Sequence, residues 1–405
     1  MKNIRFSVFL LILLVFVSCA KTVKPYSNRE PHLKIAVMHK ADAVNITSSG
    51  RYKIVSTNGM LSLDKGDKTT VKRSGSNPII EINQSKRIKK IFYPVKFKPV
   101  SGHLYLNSIP YRGEIWVIKD ADNYLLAINY INMEDYLRGV VPAEIGALNE
   151  SRIEACKAQA VAARTYAVSH IGMHYDMGYD LECTVADQVY KGIRVEYPVT
   201  DMAVSSTAGI IAVYKGRPIE AKYHSTCGGY TSDNENAWGG APIPYLRSGK
   251  DGGGCLFWQY YYCSQSPHFN WEHKFRKDDF YRLLSINLSR IKGKDITVKR
   301  IKVGKRDSGG RVIALYLYDN CSQRHTVSGL NIRKIFTGVN APGHFLRSRA
   351  FDIETGWSYV VIKGRGFGHG VGMCQYGAME MADRGKSYRD ILKHYYRGIE
   401  LKKLY

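Results

Sequence analysis

The 405-residue sequence has few acidic residues, only one long apolar segment and no motif for nucleotide binding. Its 35 Asp and Glu residues are outnumbered by 59 Lys and Arg residues, which gives a formal net charge of +24. Beyond the N-terminus no stretch of about 18 consecutive apolar residues occurs, so nothing else predicts a membrane span. The P-loop pattern is absent, and so is an internal repeat of solenoid length. These absences exclude a multi-span membrane protein, a P-loop nucleotide hydrolase and a solenoid.

Residues 1–18 predict an export signal of the lipoprotein type. A basic start precedes an apolar segment from Phe6 to Val17, which is too short to cross a bilayer. Ser18 followed by Cys19 resembles a bacterial lipobox, so we expect Cys19 to carry the lipid. The alternative is an ordinary secretory signal cut nearby. Both interpretations place the mature protein outside the cytoplasm, in the bacterial cell envelope.

The positive charge is spread along the chain rather than gathered in one block. A basic protein attracts anionic partners, among them nucleic acid, anionic cell-wall polymer and anionic membrane surfaces. For an exported protein we expect cell-wall polymer or a membrane surface, and not nucleic acid. The 29 tyrosines suit a saccharide groove, because aromatic faces stack on sugar rings.

After the signal at residues 1–18, the chain divides into three further predicted segments. Residues 19–32 are polar and contain proline, which is typical of a tether. Residues 33–110 alternate short β-branched and aromatic runs with turns, which predicts a small β domain without cysteine. Residues 111–405 form the larger remaining unit, with predicted hairpins at 111–131 and 296–318 and a helical stretch over the last 25 residues.

An alanine-rich stretch at the centre of the chain predicts a buried helix. Ser151 and Glu154 form a capping-box signature, which predicts that the helix begins there and runs to about Ile171. Its small side chains allow neighbouring elements to approach closely on nearly every side.

Two cations and a glutamine interrupt this apolar helix. Lys157 and Arg164 are seven positions apart and share a face, and Gln159 lies between them. Buried cations require an anion or a carbonyl nearby. Glu144, upstream of the helix, is a candidate for that partner or for catalysis, and a purely structural ion pair is the equal alternative.

Two long motifs resemble the SpoIID/LytB family, which comprises the sporulation peptidoglycan-cleaving protein and the amidase enhancer. They are residues 136–166 and the glycine-rich residues 364–378, and shorter matches follow the same order at 223–238, 244–249 and 391–401. The resemblance covers roughly residues 112–405. It implies an α+β fold, mainly antiparallel β with a buried alanine-rich helix, preceded here by the small β domain.

The resemblance also implies a lytic transglycosylase in which Glu144 is the catalytic acid and base. Glu144 is the one singular carboxylate of its motif, and a lytic transglycosylase requires only one. The proton-bearing form of Glu144 would be favoured by burial beside apolar residues. The alternatives are a non-catalytic amidase enhancer and a cell-wall-binding lipoprotein with an inactive groove. The partners expected are peptidoglycan glycan strands and, for the enhancer, a cell-wall amidase.

Several further residues are predicted to support Glu144 or bind substrate. A Q-x-Y pair matches the family, and the glycine-rich motif permits close approach of its backbone to a ligand. For the histidine of that motif, a structural role is the equal alternative. The predicted supporting residues are Lys157, Gln159, Arg164, Gln188, Tyr190, His369, Gln375 and Tyr376.

Catalysis by a single glutamate requires no cofactor, but the cysteines permit a structural zinc ion. One histidine and three cysteines cluster in the sequence: His224, Cys227, Cys255 and Cys263. This set has the right number of ligands for zinc, and outside the cytoplasm a disulfide is the competing expectation. Some members of the family bind zinc through histidine and cysteine in this region. Cys374 replaces a serine of the family, and we expect it to be inert packing.

Overall fold

The computed structural model of the protein describes residues 29–75, 77–84, 86–88, 91–255, 258–338 and 346–405. Two sheets form its N-terminal part. The first has seven strands, antiparallel apart from its first pair, in the spatial order β13 (Leu181–Glu182), β1 (His32–Ala41), β12 (Leu125–Asn132), β11 (Glu114–Lys119), β8 (Val95–Pro99), β3 (Tyr52–Ser56) and β4 (Gly59–Leu63). The second has six antiparallel strands in the order β10 (Ile109–Tyr111), β9 (Leu104–Leu106), β2 (Ala43–Ser48), β5 (Thr69–Lys72), β6 (Ile79–Ile82) and β7 (Lys86–Ile88).

The seven-stranded sheet contains strands from both sides of residue 110. β1 pairs with β12 in antiparallel register, so that Leu33 lies opposite Ile131. β11 and β12 form the hairpin predicted over 111–131. Alternate residues of β11 are buried, as expected for a strand with one covered face, whereas nearly every residue of β12 is buried. One face of these strands joins a continuous core with the helices. The small β domain therefore shares a sheet and a core with the segment that follows it.

Eight α-helices occur in the described part of the chain. They are α1 (Met133–Ile145), α2 (Ile153–His170), α3 (Pro198–Ser206), α4 (Asn234–Trp238), α5 (Lys277–Lys292), α6 (Asn331–Lys334), α7 (Gln375–Asp383) and α8 (Tyr388–Tyr395). Helix α2 is the predicted alanine-rich helix, and most of its 18 residues are buried. Its contacts with α1, α3, α7 and α8 place it at the centre of the fold, so the prediction of a buried helix is confirmed.

The predicted capping box at the start of α2 is wrong. The helix begins at Ile153 after a 3-10 turn at Glu150–Arg152, and no side chain caps it. The Ser151 hydroxyl donates to Asn149 instead. Glu154 is occupied elsewhere, because its carboxylate accepts bonds from Lys157 and from the backbone N–H of Tyr388, each at 2.7 Å.

The C-terminal half carries a second apolar core and several small sheets. Two three-stranded antiparallel sheets surround the second core, in the orders β19 (Asn270–Arg276), β24 (Tyr359–Arg365), β23 (Ala350–Thr355) and β20 (Val298–Val303), β21 (Ala314–Asp319), β22 (Arg324–Ser328). The hairpin predicted over 296–318 is confirmed as β20 and β21. A two-stranded sheet joins β17 (Gly252–Cys255) to β18 (Trp258–Tyr261).

Two short strand pairings connect residues near the C-terminus to strands in the middle of the chain. The first is a parallel pair, β16 (Tyr223–His224) with β25 (Met373–Cys374), which joins the two distant sequence motifs. The second is a sheet in the order β15 (Arg217–Pro218), β14 (Ile210–Tyr214) and β26 (Glu400–Lys403). The last 25 residues are therefore not all helical as predicted, because β26 follows α8 and satisfies the backbone of β14.

No helix within the described ranges is long and apolar enough to cross a membrane. The predicted signal segment, Cys19 and most of the tether lie outside the described residues.

Candidate active site

A cleft of about 450 Å³ lies where both motifs meet. It is bordered by α1, α2, the end of α4, β16 with the preceding Lys222, the start of α7, the loop that follows β13 and the loop that precedes β25. Its lining residues are Glu144, Tyr166, Val185, Ala186, Asp187, Val189, Lys222, Tyr223, His224, Ser225, Trp238, Phe367, Gly368, His369 and Gln375. Of the predicted site residues, the structure brings Glu144, His224, His369 and Gln375 to this cleft.

Glu144 lies in the last turn of α1. The helix is capped at its start by Asn132, whose side chain accepts the Asp135 N–H at 2.8 Å. It continues through Pro142 and ends at Gly146, where φ is +90°. Pro142 therefore lies inside a helix that the sequence analysis did not predict, and Glu144 belongs to that helix and not to a connecting segment. The Oε1 atom of Glu144 accepts the N–H of Val189 at 2.7 Å.

Burial raises the pKa of Glu144 above the ordinary glutamate value. Hydrogen bonds from the Val189 N–H, Tyr223 and Gln375 act in the opposite direction, since they stabilise the ionised carboxylate, but they do not outweigh burial. Glu144 thus holds a proton more readily than a surface glutamate. The same carboxylate has donors ready to stabilise its charge once the proton is given away.

A chain of buried hydrogen bonds orients the hydroxyl of Tyr223, which bonds to Glu144. Tyr136 donates to the side-chain oxygen of Gln188 at 3.2 Å, and the Gln188 amide donates to the Tyr223 hydroxyl at 3.0 Å. Because Tyr223 accepts this bond, its own hydrogen is directed to Glu144. Gln188 acts on the acid through Tyr223, so it is a positioning residue rather than a substrate contact.

Gln159 lies beneath the cleft and contacts a second partner of Glu144. It is fully buried on α2, and its side-chain oxygen accepts from Gln375 at 3.4 Å. Gln375, the first residue of α7, also bonds to Glu144. Tyr376, the next residue, does not line the cleft, and its backbone N–H donates to Ser225.

His369 is held by the backbone on both ring nitrogens. Its Nδ1 accepts the Val371 N–H at 3.1 Å, which leaves Nε2 to donate to the Tyr223 carbonyl at 3.0 Å. Burial lowers the pKa of His369 to about 3, so the ring is neutral. His369 therefore secures the strand that carries Tyr223, and it presents a ring face to the cleft.

The remaining predicted residues lie outside the cleft. Lys157 pairs with Glu154 on the same helix at 2.7 Å. Arg164 is completely buried and pairs with Glu134 at 2.6 Å, so neither cation contacts Glu144. Tyr190 is buried and donates to Asn129 at 2.7 Å.

Sequence reasoning missed a second carboxylate and a lysine in the cleft. Asp187 accepts the Tyr166 hydroxyl at 2.9 Å and the Glu182 N–H at 2.8 Å. The Lys222 ammonium lies 4.6 Å from the centre of the Tyr166 ring, and burial lowers its pKa. Both residues adjoin predicted motifs: Asp187 precedes Gln188, and Lys222 immediately precedes the stretch beginning at Tyr223. Their positions next to these motifs are the sequence feature from which they could have been predicted.

Comparison with known proteins identifies the family. A family model described as stage II sporulation protein matches residues 121–214, and a second, described as a domain of unknown function, matches residues 256–372. The stage II sporulation protein D of Bacillus amyloliquefaciens is 34% identical over 291 residues, which cover 68% of this chain and 75% of that protein. The chain belongs to the SpoIID/LytB family.

Two further relatives are similar to this chain over a comparable length. An uncharacterised protein of Brachyspira hyodysenteriae is 33% identical over 297 residues, 73% of each chain. The amidase enhancer of Bacillus subtilis is 30% identical over 292 residues, which cover 65% of this chain and 40% of that protein. This SpoIID/LytB member therefore resembles both branches after which the family is named.

Two exposed aromatic side chains border the cleft of this SpoIID/LytB member. Trp238 is 41% exposed and Phe367 is 40% exposed. The Trp238 ring lies 5.0 Å from the ring of His369, between centres. Large apolar faces left open beside a half-buried acid suit a ligand with both apolar and polar sides, as a sugar ring has.

We expect Trp238→Ala to weaken glycan binding more than it slows the chemical step. Loss of the open face should raise the KM for glycan strands roughly tenfold, which corresponds to about 1.4 kcal/mol, with little change in kcat. The control is Trp357→Ala, because Trp357 is 98% exposed in the turn between β23 and β24 and does not line the cleft. Equal effects of the two substitutions would contradict a role for Trp238 in binding.

The predicted zinc or disulfide set is only partly assembled. Cys227 and Cys263 are both buried, and their sulfurs lie 3.4 Å apart as free thiols. His224 lies elsewhere, with Nδ1 bonded to the Val371 carbonyl at 3.2 Å. The side chain of Cys255 lies outside the described residues.

Two residues absent from that prediction join the pair of cysteines. The ligand atoms of four buried residues lie within 4.8 Å of one another, and we call this group the buried thiol cluster: Cys227, Asp251, Cys263 and Cys374. Cys374 is fully buried, and its sulfur also accepts the N–H groups of Cys227 and Gly377 at 3.2 and 3.4 Å, so it does more than fill space.

Proposed function

We propose that the protein is a peptidoglycan lytic transglycosylase that cleaves between MurNAc and GlcNAc with Glu144 as its acid and base. The observation that carries this proposal is a glutamate with a raised pKa in a cleft, held by three hydrogen-bond donors. Its membership of a family named for stage II sporulation protein D and the amidase enhancer supports a role at the cell wall.

The reaction uses one carboxyl group twice. Protonated Glu144 gives its proton to the glycosidic oxygen, and the bond between that oxygen and C1 of MurNAc breaks. The C6 hydroxyl oxygen of the same sugar forms a bond to C1 and closes a 1,6-anhydro ring. The hydroxyl proton passes to the Glu144 carboxylate, which restores the acid without consuming water.

The surroundings of Glu144 match both halves of this cycle. Burial favours the protonated form needed first. After the proton is donated, the Val189 N–H and the Tyr223 hydroxyl stabilise the carboxylate until it accepts the second proton. The chain from Tyr136 through Gln188 fixes the direction of the Tyr223 hydroxyl, so this stabilisation needs little reorganisation.

The competing reaction is hydrolysis, which requires a second carboxylate to activate water or attack the sugar. Glu134 and Asp135 are the nearest acids upstream in sequence, but Glu134 is paired with Arg164, and Asp135 lies in the first turn of α1 beside Asn132. Among the described residues, Asp187 is the other carboxylate that lines the cleft. A hydrolase would therefore use Asp187.

Digestion of purified glycan strands in heavy-oxygen water decides between these reactions. For a lytic transglycosylase the new ends are 1,6-anhydro-MurNAc and contain no heavy oxygen. Incorporation of heavy oxygen into the new ends would instead identify a hydrolase. Mass spectrometry of the products distinguishes the two directly.

The second candidate function is enhancement of an amidase without glycan cleavage. The observation that favours it is the 30% identity to the amidase enhancer of Bacillus subtilis. In that case neither the wild type nor Glu144→Gln releases any glycan fragment, while a cell-wall amidase works faster in the presence of either.

We also propose that the protein is anchored in the cell envelope through a lipid on Cys19. The apolar segment that ends at Ser18-Cys19 supports this proposal. Replacement of Cys19 by Ala should move the protein from the membrane fraction to the soluble fraction. A Cys19→Ala variant that still sediments with membranes at high salt would exclude the lipid anchor.

A further inference from the structure

The buried thiol cluster brings together four parts of the chain that are remote in sequence. Cys227 follows β16, Asp251 precedes β17, Cys263 lies in the 3-10 turn Tyr262–Gln265, and Cys374 caps α7. All four side chains are buried, so any ligand they hold is enclosed by protein. Three thiols and one carboxylate form a ligand set of the number and kind that closes a structural zinc site.

We propose that the buried thiol cluster binds one structural Zn²⁺ ion. A tetrahedral ion with Zn–S bonds of about 2.3 Å separates neighbouring sulfurs by roughly 3.8 Å. The sulfurs of Cys227 and Cys263 are 3.4 Å apart, and every ligand atom lies within 4.8 Å of the others. The distances between the ligand atoms of the cluster are therefore close to those between the ligands of a tetrahedral zinc ion.

Backbone N–H groups beside the cluster point at its sulfur atoms. The Gly229 N–H points to the Cys227 sulfur at 3.3 Å, and the Cys227 N–H points to the Cys374 sulfur at 3.2 Å. Gly229 has φ of +101°, a conformation that favours glycine.

An acidic residue of the cluster and a basic residue beside it are both fully buried. Asp251 is fully buried, and its carboxylate accepts the Tyr395 hydroxyl at 2.7 Å and the Cys227 thiol at 2.9 Å, with Nε2 of His394 at 3.4 Å. Arg311 is also fully buried; its Nη2 donates to the Cys227 carbonyl, while Nε and Nη1 have no acceptor within the described part of the chain. Thiolates bound to a zinc ion would supply the counter-charge for Arg311.

The ion would stabilise one side of the proposed active-site cleft. Cys227 lies three residues after His224 of β16, and Cys374 immediately precedes Gln375, which bonds to Glu144. Zinc at this point would join the two strands that the sequence motifs contribute. Its role is structural, because all four ligand positions come from protein and none is left open for substrate.

Metal analysis of the full-length mature protein, purified under reducing conditions, tests the site. We expect about one zinc per chain, and replacement by Co²⁺ should give the near-ultraviolet charge-transfer absorption of thiolate ligands. Cys374→Ser replaces the sulfur that caps α7 by a hydroxyl oxygen that can also accept the Gly377 N–H, and it should bind zinc at least tenfold more weakly. Cys156→Ser is the matched control, since Cys156 is a buried thiol on α2 outside the cluster, and its zinc content should equal that of the wild type.

Three results would overturn the proposal. The first is wild-type protein that neither retains zinc nor gives the cobalt spectrum after reconstitution, a measurement that depends on no variant. The second is zinc bound by Cys374→Ser as tightly as by the wild type. The third is a Cys227–Cys263 disulfide in protein isolated from the envelope without reductant, mapped by mass spectrometry.

Discussion

Glu144→Gln should fold normally and lose glycan cleavage on the order of a hundredfold or more, the usual scale for a positioned acid. The glutamine oxygen can still accept the Val189 N–H, so the local structure is retained. An amide has no carboxyl proton to give to the glycosidic oxygen. The measurement is the initial rate of fragment release from purified glycan strands, together with the thermal unfolding midpoint of each protein.

Asp187→Asn is the matched control, because it alters the other carboxylate of the same cleft. For the proposed mechanism this variant keeps 1,6-anhydro products and most of the wild-type rate. If instead Asp187→Asn loses as much activity as Glu144→Gln, two carboxylates are required and the single-acid mechanism is wrong. Normal cleavage by Glu144→Gln would remove Glu144 from the mechanism altogether.

Glu144 could be predicted from the sequence because it lies in the motif that resembles the family and has apolar residues on both sides. The structure adds the reason for its raised pKa, namely burial at the end of a helix that runs through Pro142. That helix was not predicted, because an internal proline usually ends a helix. The gain from burying one face of α1 against α2 and α3 is a tertiary effect, which local patterns do not contain.

Partners that are remote along the chain were predicted less well. The buried thiol cluster depends on β16 pairing with β25, which brings Cys374 to within reach of Cys227 across 147 positions. Local spacing suggested His224 and Cys255 as the neighbours of Cys227 and gave no signal for Asp251. Asp187 was missed for the same reason, since its place in the cleft follows from how the loop after β13 packs in the fold.

The two cations of α2, Arg164 and Lys157, look equivalent in sequence but differ in burial and in their partners. Arg164 is completely buried and makes a two-point contact with Glu134, at 2.8 and 2.6 Å. Its remaining N–H groups donate to the Ile210 and Val204 carbonyls. Lys157 is half-buried and pairs with Glu154 within one turn. These contacts assign Arg164 to the core of the fold.

Arg164→Met should therefore destabilise the protein strongly. Methionine keeps most of the side-chain volume, but Glu134, which is 19% exposed, is left as a largely buried charge without its cation, which costs roughly 3–5 kcal/mol. Lys157→Met, the matched control on the same helix, removes a more exposed pair and should change the free energy of unfolding by at most about 1 kcal/mol. The measurement is the urea midpoint of each variant. An Arg164→Met protein with the wild-type midpoint and no cleavage would instead assign Arg164 to catalysis.

The loss caused by Arg164→Met should also depend on pH. Burial alone would raise the pKa of Glu134, but the hydrogen bonds and charge of Arg164, with further donors from Tyr405 and Gly209, bring it below the ordinary glutamate value. The folded-state pKa is thus lower than the unfolded-state pKa, so the stabilisation is present above the unfolded pKa and is lost as pH falls through the folded one. In the variant, Glu134 takes up a proton more readily because its cation is gone. The difference in unfolding free energy between wild type and Arg164→Met should therefore be largest near neutral pH and shrink in acid, whereas a difference independent of pH would mean that lost packing, and not the buried charge, is the cause.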